Sequence, residues 1–186
     1  MIIVGVICVV LAASVSAQRQ FTGSSRLRVS DTEKFFYNGL DHRIEDGWSD
    51  DRSIGVQRAY GVVLFPVQNL AQLNFSATNA VWRIEARDQG YLAKEEDEII
   101  FRVRGEAEET PLVFFAGPAE DVEPVRHRFV VKPQWHLIHV PLKVLTNPTQ
   151  LRLVGLRSEA SGRATVYIAY MYLRVNPAAP PKNKKN

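Results

Sequence analysis

Six arginines occur as three pairs in segments where polar and apolar residues alternate. The pairs are Arg83 with Arg87, Arg102 with Arg104, and Arg126 with Arg128. Residues two or four apart in a strand project from one face, so each pair lies opposite the apolar residues of its strand. A guanidinium group binds a carboxylate or sulfate through two parallel hydrogen bonds and stacks on flat rings. If the three strands share a sheet, the pattern predicts a binding surface for acidic sugars; otherwise these are ordinary outward residues, paired with the chain's own acids.

A single tryptophan stands among acids in residues 46–51 (DGWSDD), a segment typical of a loop. An exposed Trp48 would stack on a sugar ring, and the carboxylates of Asp50 and Asp51 would accept hydrogen bonds from sugar hydroxyls. The pattern equally allows Trp48 to fold back over the edge of the core. The segment therefore predicts either a sugar-binding loop or a cap on the core.

The other titratable residues do not predict a catalytic or metal site. The acids of Glu95–Glu98 are contiguous and should fan outward, whereas a glycosidase needs two facing carboxyl groups roughly 5 to 9.5 Å apart. His136 and His139 are three residues apart, which places them on opposite faces of a strand, and zinc ligands must converge. The sequence contains no nucleophile elbow and no phosphate-binding loop.

The elements that position these side chains are short alternating segments. The candidate strands are 27–29, 60–65, 71–75, 82–86, 99–103, 112–115, 125–131, 136–140, 151–156 and 165–175. Turn residues such as Asn38-Gly39 separate them, and short strands at this spacing predict an all-β sandwich or barrel. Trp82 and Trp135 fall in core phase and are predicted to pack inside. Residues 30–39 allow two helical turns, and residues 35–37 equally allow a strand.

Residues 1–17 have the pattern of a secretory signal peptide. An apolar stretch, residues 2–13, is followed by small residues ending at Ala17, and polar residues follow before the roughly 20 apolar residues of a membrane span are reached. We therefore expect cleavage after Ala17, a secreted extracellular chain and no membrane span. The only cysteine, Cys8, is lost with the signal, so the domain of residues 18–175 must be held by its core rather than by disulfides.

The net charge comes from a short tail. Sixteen Arg and four Lys balance twenty acids between residues 18 and 181, and Lys182, Lys184 and Lys185 supply the excess of +3. A basic folded surface is therefore not predicted, which removes the simplest argument for nucleic-acid binding. Residues 176–186 are rich in Pro and then Lys and have no apolar stretch, so we expect a disordered tail.

Residues 74–76 (NFS) match the acceptor motif for N-glycosylation, whereas residues 147–149 (NPT) are excluded by their proline. Asn74 is out of phase with the apolar residues on either side of it, so its side chain is predicted to face solvent. In a eukaryotic source, we expect Asn74 to be glycosylated.

Several parts of the chain, taken in order, resemble a known fold family. These parts are Asp41–Asp51, Glu98–Glu106, Trp135–Leu142, Leu151–Leu156 and Val166–Leu173. Their order over residues 26–175 resembles galactose-binding-like jelly rolls, the fold of many non-catalytic carbohydrate-binding modules. The resemblance implies an all-β, antiparallel two-sheet β-sandwich of the jelly-roll kind, with a polysaccharide or other glycan as partner.

Relatives of this type often hold a structural calcium through acids in the last strand, where this chain has Ala169 and Tyr170. Calcium needs several oxygen ligands, so no metal or cofactor is expected. The predicted function is a secreted non-catalytic carbohydrate-binding module for an extracellular or cell-wall polysaccharide, with an acidic one suiting the arginines. Two alternatives stay open: a jelly-roll glycoside hydrolase or polysaccharide lyase using acids of 41–51 and 95–98, and a structural matrix or cell-surface interaction protein.

Overall fold

The computed structural model describes residues 32–41, 43–119 and 122–176, and every regular element in these ranges is a β-strand. The strands are β1 (Glu33–Asn38), β2 (Arg43–Ile44), β3 (Trp48–Ser49), β4 (Val56–Leu64), β5 (Val67–Phe75), β6 (Val81–Ala86), β7 (Tyr91–Ala93), β8 (Glu98–Gly105), β9 (Thr110–Gly117), β10 (Val125–Val131), β11 (His136–Pro141), β12 (Thr149–Leu151), β13 (Leu153–Ser158) and β14 (Ala164–Arg174). None of the described ranges contains a helix long and apolar enough to cross a membrane. The predicted signal peptide, the predicted strand at 27–29 and all but the first residue of the predicted tail lie outside these ranges.

Two antiparallel sheets enclose one core. The seven-stranded sheet has the order β11-β8-β14-β1-β2, with β5 also beside β14 and β4 beside β5. The five-stranded sheet has the order β10-β9-β13-β6-β3, and β7 pairs with β12 in a separate ladder. The predicted all-β, antiparallel two-sheet sandwich is therefore confirmed.

Strand β14 joins the two halves of the larger sheet. It pairs with β8 along one side, whereas its other side pairs first with β5 and then with β1. The register with β8 shifts between Ile168 and Tyr170, so Ala169 is the extra residue of a β-bulge. Gly39 lies against this bulge, where an added Cβ would be only 2.1 Å from the carbonyl oxygen of Ala169.

The core is built from alternate residues of the facing strands. Buried side chains include Val166, Ile168, Met171 and Leu173 of β14, Ile99, Phe101 and Val103 of β8, and Trp82, Ile84, Phe114 and Leu156 of the five-stranded sheet. Burying each such large apolar side chain contributes about 1.5–3 kcal/mol. The residues of β14 between the buried ones therefore lie on the outer face of the seven-stranded sheet.

Residues 33–38 form a strand rather than the helical turns that their capping pattern also allowed. Pairing with β14 and β2 satisfies the backbone of β1, and Phe36 is fully buried in the core. Strands β2, β3 and β7 were not predicted, because two or three residues are too few to display alternation.

Candidate functional site

The arginines predicted to share one surface lie on two sheets. Arg83 belongs to β6 and Arg126 to β10 in the five-stranded sheet, whereas Arg102 belongs to β8 in the seven-stranded sheet. Arg83 is also nearly buried, with 8% of the residue exposed. The prediction of one continuous arginine surface is therefore wrong. Alternation fixes which side of its own strand a residue occupies, but it does not say which sheet the strand joins.

The arginines of the five-stranded sheet are paired with the chain's own acids. The ion pairs are Arg83–Glu85 at 3.1 Å and Arg126–Glu123, Arg128–Glu159 and Arg157–Glu123, each at 3.2 Å. The more exposed of these pairs, such as Arg128–Glu159, contribute about 0–1 kcal/mol to stability. They do neutralise the surface, as the ordinary interpretation of these residues predicted.

Arg102 and Arg104 of β8 have no ion pair with any carboxylate in the described part of the chain. The guanidinium carbon of Arg102 lies 5.1 Å from the ring centroid of Trp135, a cation–π contact. The buried Nε of Arg104 has no hydrogen-bond partner among the described residues. Trp135 is half-buried beside Arg102 rather than packed in the core. That prediction is wrong because Trp135 precedes β11, where strand periodicity does not apply.

Five aromatic side chains lie on the outer face of the seven-stranded sheet. This tyrosine face consists of Phe35, Trp135, Tyr167, Tyr170 and Tyr172, all of them half-buried. The ring centroids of Tyr172 and Phe35 are 5.2 Å apart, and those of Tyr170 and Tyr172 are 5.8 Å apart. In the ladder between β14 and β8, Tyr167 lies opposite Arg104 and Tyr170 opposite Arg102. The two unpaired arginines therefore flank the tyrosines.

The bulge at Ala169 places the tyrosines on one face. Tyr167 and Tyr170 are three residues apart, so an uninterrupted strand would direct them to opposite faces. The extra residue restores the phase, and Met171 beyond it is fully buried in the core. Tyr167, Tyr170 and Tyr172 were not among the binding residues predicted from the sequence. Their alternation with Val166, Ile168 and Leu173 was the available signal, but the bulge interrupts it.

The hydroxyls of Tyr167 and Tyr172 remain protonated well above neutral pH. Partial burial raises the pKa of Tyr172 above its usual value, and Glu33 and Tyr170 raise it further. Burial also raises the pKa of Tyr167, with Glu106 adding to the effect. Each hydroxyl can therefore both donate and accept a hydrogen bond.

A charged cluster closes one end of the tyrosine face. The Nδ1 of His139 lies 2.9 Å from Glu98, and Arg174 forms an ion pair with the same carboxylate. The three residues come from β11, β8 and β14. Arg174 is therefore already paired with an acid. Arg102 and Arg104, the other arginines of the tyrosine face, have no such pair among the described residues and stay available for a ligand.

A cleft of about 620 Å³ with both polar and apolar lining closes the other end. Its lining includes Gln57, Asn74, Ser76, Arg163 and Thr165. Gln57 on β4, Asn74 on β5 and Thr165 on β14 lie side by side. No carboxylate lines the cleft. Val56, Phe75 and Ala164 add apolar surface to the polar groups, and Arg163 supplies one guanidinium group.

Arg87 lies apart from the tyrosine face and from the cleft at its end. It follows β6, is exposed, and lines a second cavity of about 380 Å³ together with Asp88, Gln89, Gln150 and Arg152. Nothing in its position joins it to Arg83, the residue with which the sequence paired it.

Trp48 is part of the core rather than an exposed platform. Only 5% of the residue is exposed. Its ring centroid lies 4.9 Å from that of Phe36 in an edge-on contact and 5.0 Å from that of Tyr91. The interpretation of Trp48 as a cap on the core edge is confirmed, and the sugar-stacking interpretation is wrong.

The two acids predicted to act with Trp48 differ in their surroundings. The Oδ2 of Asp50 accepts hydrogen bonds from the Tyr60 hydroxyl and from the indole N–H of Trp82, the latter at 3.3 Å, and it pairs with Arg58 at 3.4 Å. Asp50 therefore joins parts of the fold. Asp51 is exposed and accepts a hydrogen bond of 2.6 Å from the Ser49 hydroxyl. Neither acid lies on the tyrosine face.

The histidines contact protein groups individually. The Nε2 of His136 accepts a hydrogen bond from the Lys132 amide at 3.3 Å, and the ring of His127 stacks on Phe129. Within the described ranges, no three His, Cys, Asp or Glu side chains are grouped so that they could hold a metal ion.

No protein-family model and no curated protein matches the chain, but solved structures do. A variant of a family 29 carbohydrate-binding module superposes with a TM-score of 0.57 at 8% identity, covering 77% of this chain and 90% of the module. Another family 29 variant, complexed with cellulohexaose, gives a TM-score of 0.56 at 8% identity, covering 77% and 89%. A family 11 module from Clostridium thermocellum, in complex with a β-1,3-1,4-mixed-linked tetrasaccharide, gives 0.51 at 11% identity, covering 77% and 95%.

This chain has the jelly-roll fold of those modules. The resemblance that the sequence suggested is confirmed as a likeness of fold. At identities of 8% to 11% the likeness concerns backbone architecture, so the ligand must be argued from this chain's own surface. On this jelly roll, the tyrosine face combines half-buried aromatic rings with arginines that have no ion pair among the described residues.

Proposed function

We propose that the chain is a secreted, non-catalytic carbohydrate-binding protein that holds a glycan chain on the tyrosine face. The observation that carries the proposal is the row of five half-buried aromatic side chains on one outer sheet face. Solved jelly rolls complexed with cellulohexaose and with a mixed-linked tetrasaccharide support it. The signal-peptide pattern of residues 1–17 supports secretion.

The chemistry of the face suits sugar rings. One side of a pyranose ring presents C–H groups, which pack on an aromatic ring, while its hydroxyls need hydrogen-bond partners. The hydroxyls of Tyr167, Tyr170 and Tyr172 supply donors and acceptors beside the stacking surfaces. From Thr165 to Arg174 the strand extends roughly 30 Å at about 3.3 Å per residue, so the face can contact several consecutive units of an extended polysaccharide.

The ligand is proposed to carry acidic groups. Arg102 and Arg104 lie on the tyrosine face without an ion pair to a described carboxylate, and Arg102 is already oriented by Trp135. A hydrogen bond between such a guanidinium and a carboxylate or sulfate contributes about 1.5–3 kcal/mol. This proposal rests on two arginines of one sheet and replaces the six-arginine surface predicted from the sequence.

A glycan array followed by titration calorimetry tests the proposal. We expect Tyr170→Ala with Tyr172→Ala to weaken binding at least tenfold, because two stacking surfaces are lost. Phe65→Ala is the matched control, since Phe65 is an aromatic residue in the β4–β5 turn with 92% of its surface exposed.

Arg102→Ala with Arg104→Ala should reduce the preference for acidic over neutral glycans, while Arg126→Ala with Arg128→Ala should leave it unchanged.

Reducing-sugar assays on the same glycans separate binding from hydrolysis. Binding without product release is expected, and product release would show an enzyme instead. Failure of the protein without a glycan on Asn74 to bind any carbohydrate would overturn the proposal and favour a role in protein–protein contacts. Equal loss of affinity in the Phe65→Ala control would place the ligand elsewhere.

A further inference from the structure

The glycosylation motif lies at the cleft beside the tyrosine face. Asn74 and Ser76, the first and last residues of the motif, both line the cleft of about 620 Å³. Small-molecule pockets have volumes of roughly 300–1,000 Å³, so the cleft has room for a sugar. A modification site that the sequence places merely at the surface thus opens into a concave region.

The hydrogen bonds of Asn74 leave its reactive atom available. Its Oδ1 accepts hydrogen bonds from the Thr165 hydroxyl at 2.9 Å and from the Gln72 amide at 3.3 Å. Its Nδ2, the atom that becomes glycosylated, donates to no described residue. Because the two donors hold the oxygen, the nitrogen is directed away from them.

The cleft adjoins the tyrosine face directly. Thr165, which bonds to Asn74, is two residues from Tyr167 on the same face of β14. Gln72, the other donor, lies opposite Tyr167 in the ladder between β5 and β14. Positions two apart along a strand are separated by roughly 7 Å, so the second sugar attached at Asn74 can reach the Tyr167 ring.

We propose that an N-linked glycan on Asn74 fills the cleft and covers Tyr167, so that the glycosylated chain binds external carbohydrate more weakly than the unmodified chain. The effect on affinity rests on the proposed function. In the modification, Nδ2 forms a bond to the anomeric carbon of an oligosaccharide, the bond from that carbon to a lipid diphosphate breaks, and one amide proton is released. The lipid-diphosphate oligosaccharide is supplied by a eukaryotic secretory pathway. The chain thereby carries a ligand for its own binding face.

The experiment compares three full-length chains secreted from a eukaryotic host. The first is unaltered. The second is Ser76→Ala, which removes the motif but keeps Asn74. The third combines Ser76→Ala with Pro148→Ala, which makes residues 147–149 an acceptor motif. Residues 147 and 148 are exposed and lie between β11 and β12, and Thr149 is the first residue of β12. This connection begins near Leu142, whose amide donates a hydrogen bond to the Asp97 carbonyl next to the first residue of β8. The third chain therefore carries a glycan away from Asn74.

Intact mass and glycan affinity are measured for each chain. We expect one added glycan on the first and third chains and none on the second, and at least tenfold weaker binding by the first than by either of the others. An unaltered chain secreted without a glycan on Asn74 would overturn the inference. Equal affinities of glycosylated and Ser76→Ala chains would also overturn it.

Hydroxyl-radical footprinting of Tyr167 separates this inference from the proposed function. We expect Tyr167 to be protected in the unaltered chain and reactive in the other two, whether or not any external glycan binds. If no chain binds carbohydrate, the proposed function fails, while protection of Tyr167 still shows that the attached glycan covers it. Equal reactivity of Tyr167 in all three chains would overturn the covering itself.

Discussion

The indole rings of Trp48 and Trp135 have different surroundings. Trp48 is buried against Phe36 and Tyr91, whereas Trp135 is half-buried under the guanidinium of Arg102. We expect Trp48→Ala to lower the free energy of unfolding by about 3–5 kcal/mol, the usual cost of removing a buried aromatic ring, without changing glycan affinity. Urea unfolding and calorimetric titration measure the two quantities.

Trp135→Ala is the matched comparison at the residue scale. It should lower the free energy of unfolding much less than Trp48→Ala and should weaken glycan binding, since it removes a ring of the tyrosine face and the support of Arg102. A loss of affinity in Trp48→Ala, measured below its unfolding transition, would contradict this assignment of roles.

The candidate site could be predicted only in part from individual residues. Arg102 and Arg104 were correctly predicted to be an outward pair, because the second half of β8 alternates between buried and partly exposed residues. The acids next to Trp48 in the sequence suggested an exposed loop. Whether its ring faces the core could not be predicted from alternation, because β3 has only two residues. The sheet to which Arg83 and Arg126 belong depends on contacts between distant segments, which alternation does not encode.

At the scale of elements, the bulge in β14 and the turn after β1 depend on each other. An added Cβ on Gly39 would lie 2.1 Å from the carbonyl oxygen of Ala169 and 2.7 Å from that of Asn69. We expect Gly39→Ala to displace the bulge, to lower stability by a few kcal/mol through overpacking, and to weaken glycan binding because Tyr170 leaves its position. Thermal unfolding and titration check both effects.

Gly155→Ala provides the control for that prediction. In the middle of β13, its Cβ would lie 2.3 Å from the carbonyl oxygen of Trp82, so it should destabilise the five-stranded sheet. Folded Gly155→Ala protein should keep its glycan affinity. Equal affinity loss in both variants, or none in Gly39→Ala, would separate the bulge from the binding face.

The elements themselves were largely predictable. Segments 82–86, 99–103 and 125–131 alternate cleanly, and all three are strands close to the predicted bounds. Within the ambiguous segment, Glu33–Asn38 form a strand because β14 offers them a pairing partner. Pairing partners, the bulge and the branch of the large sheet at β14 were not predictable, since each depends on residues far apart in sequence.

At the scale of the whole molecule, one buried and two half-buried tyrosines connect stability to pH. Burial raises the pKa of Tyr91 to about 12. It also raises the pKa values of Tyr37 and Tyr60, and the hydrogen bond to Asp50 raises that of Tyr60 further. An unfolded tyrosine has a pKa near about 10. The stability contributed by these neutral hydroxyls is therefore present below pH 10 and is lost as pH rises toward 12, because the unfolded chain ionises first.

Urea unfolding at a series of pH values from 8 to about 12 tests this sign. We expect the free energy of unfolding to fall through the upper part of this range, and to fall less steeply in Tyr91→Phe. Tyr91→Phe should also be less stable at neutral pH by about 1 kcal/mol, since its hydroxyl donates a hydrogen bond to the Phe35 carbonyl at 2.7 Å. A free energy that is constant up to pH 12, or a slope unchanged in Tyr91→Phe, would contradict the prediction.

Strand β14 has a consequence for biosynthesis. It is the shared neighbour of β1, β5 and β8, and Glu33 at the start of β1 pairs with Arg174 at its end. During synthesis, β1, β5 and β8 cannot complete their pairing until residues 164–174 have been made. Until then their edges are open to other chains. Closure across such a sequence separation is slow. A ribosome that stalls before residue 164 therefore leaves a product with several open strand edges, which quality-control chaperones must hold until it is degraded.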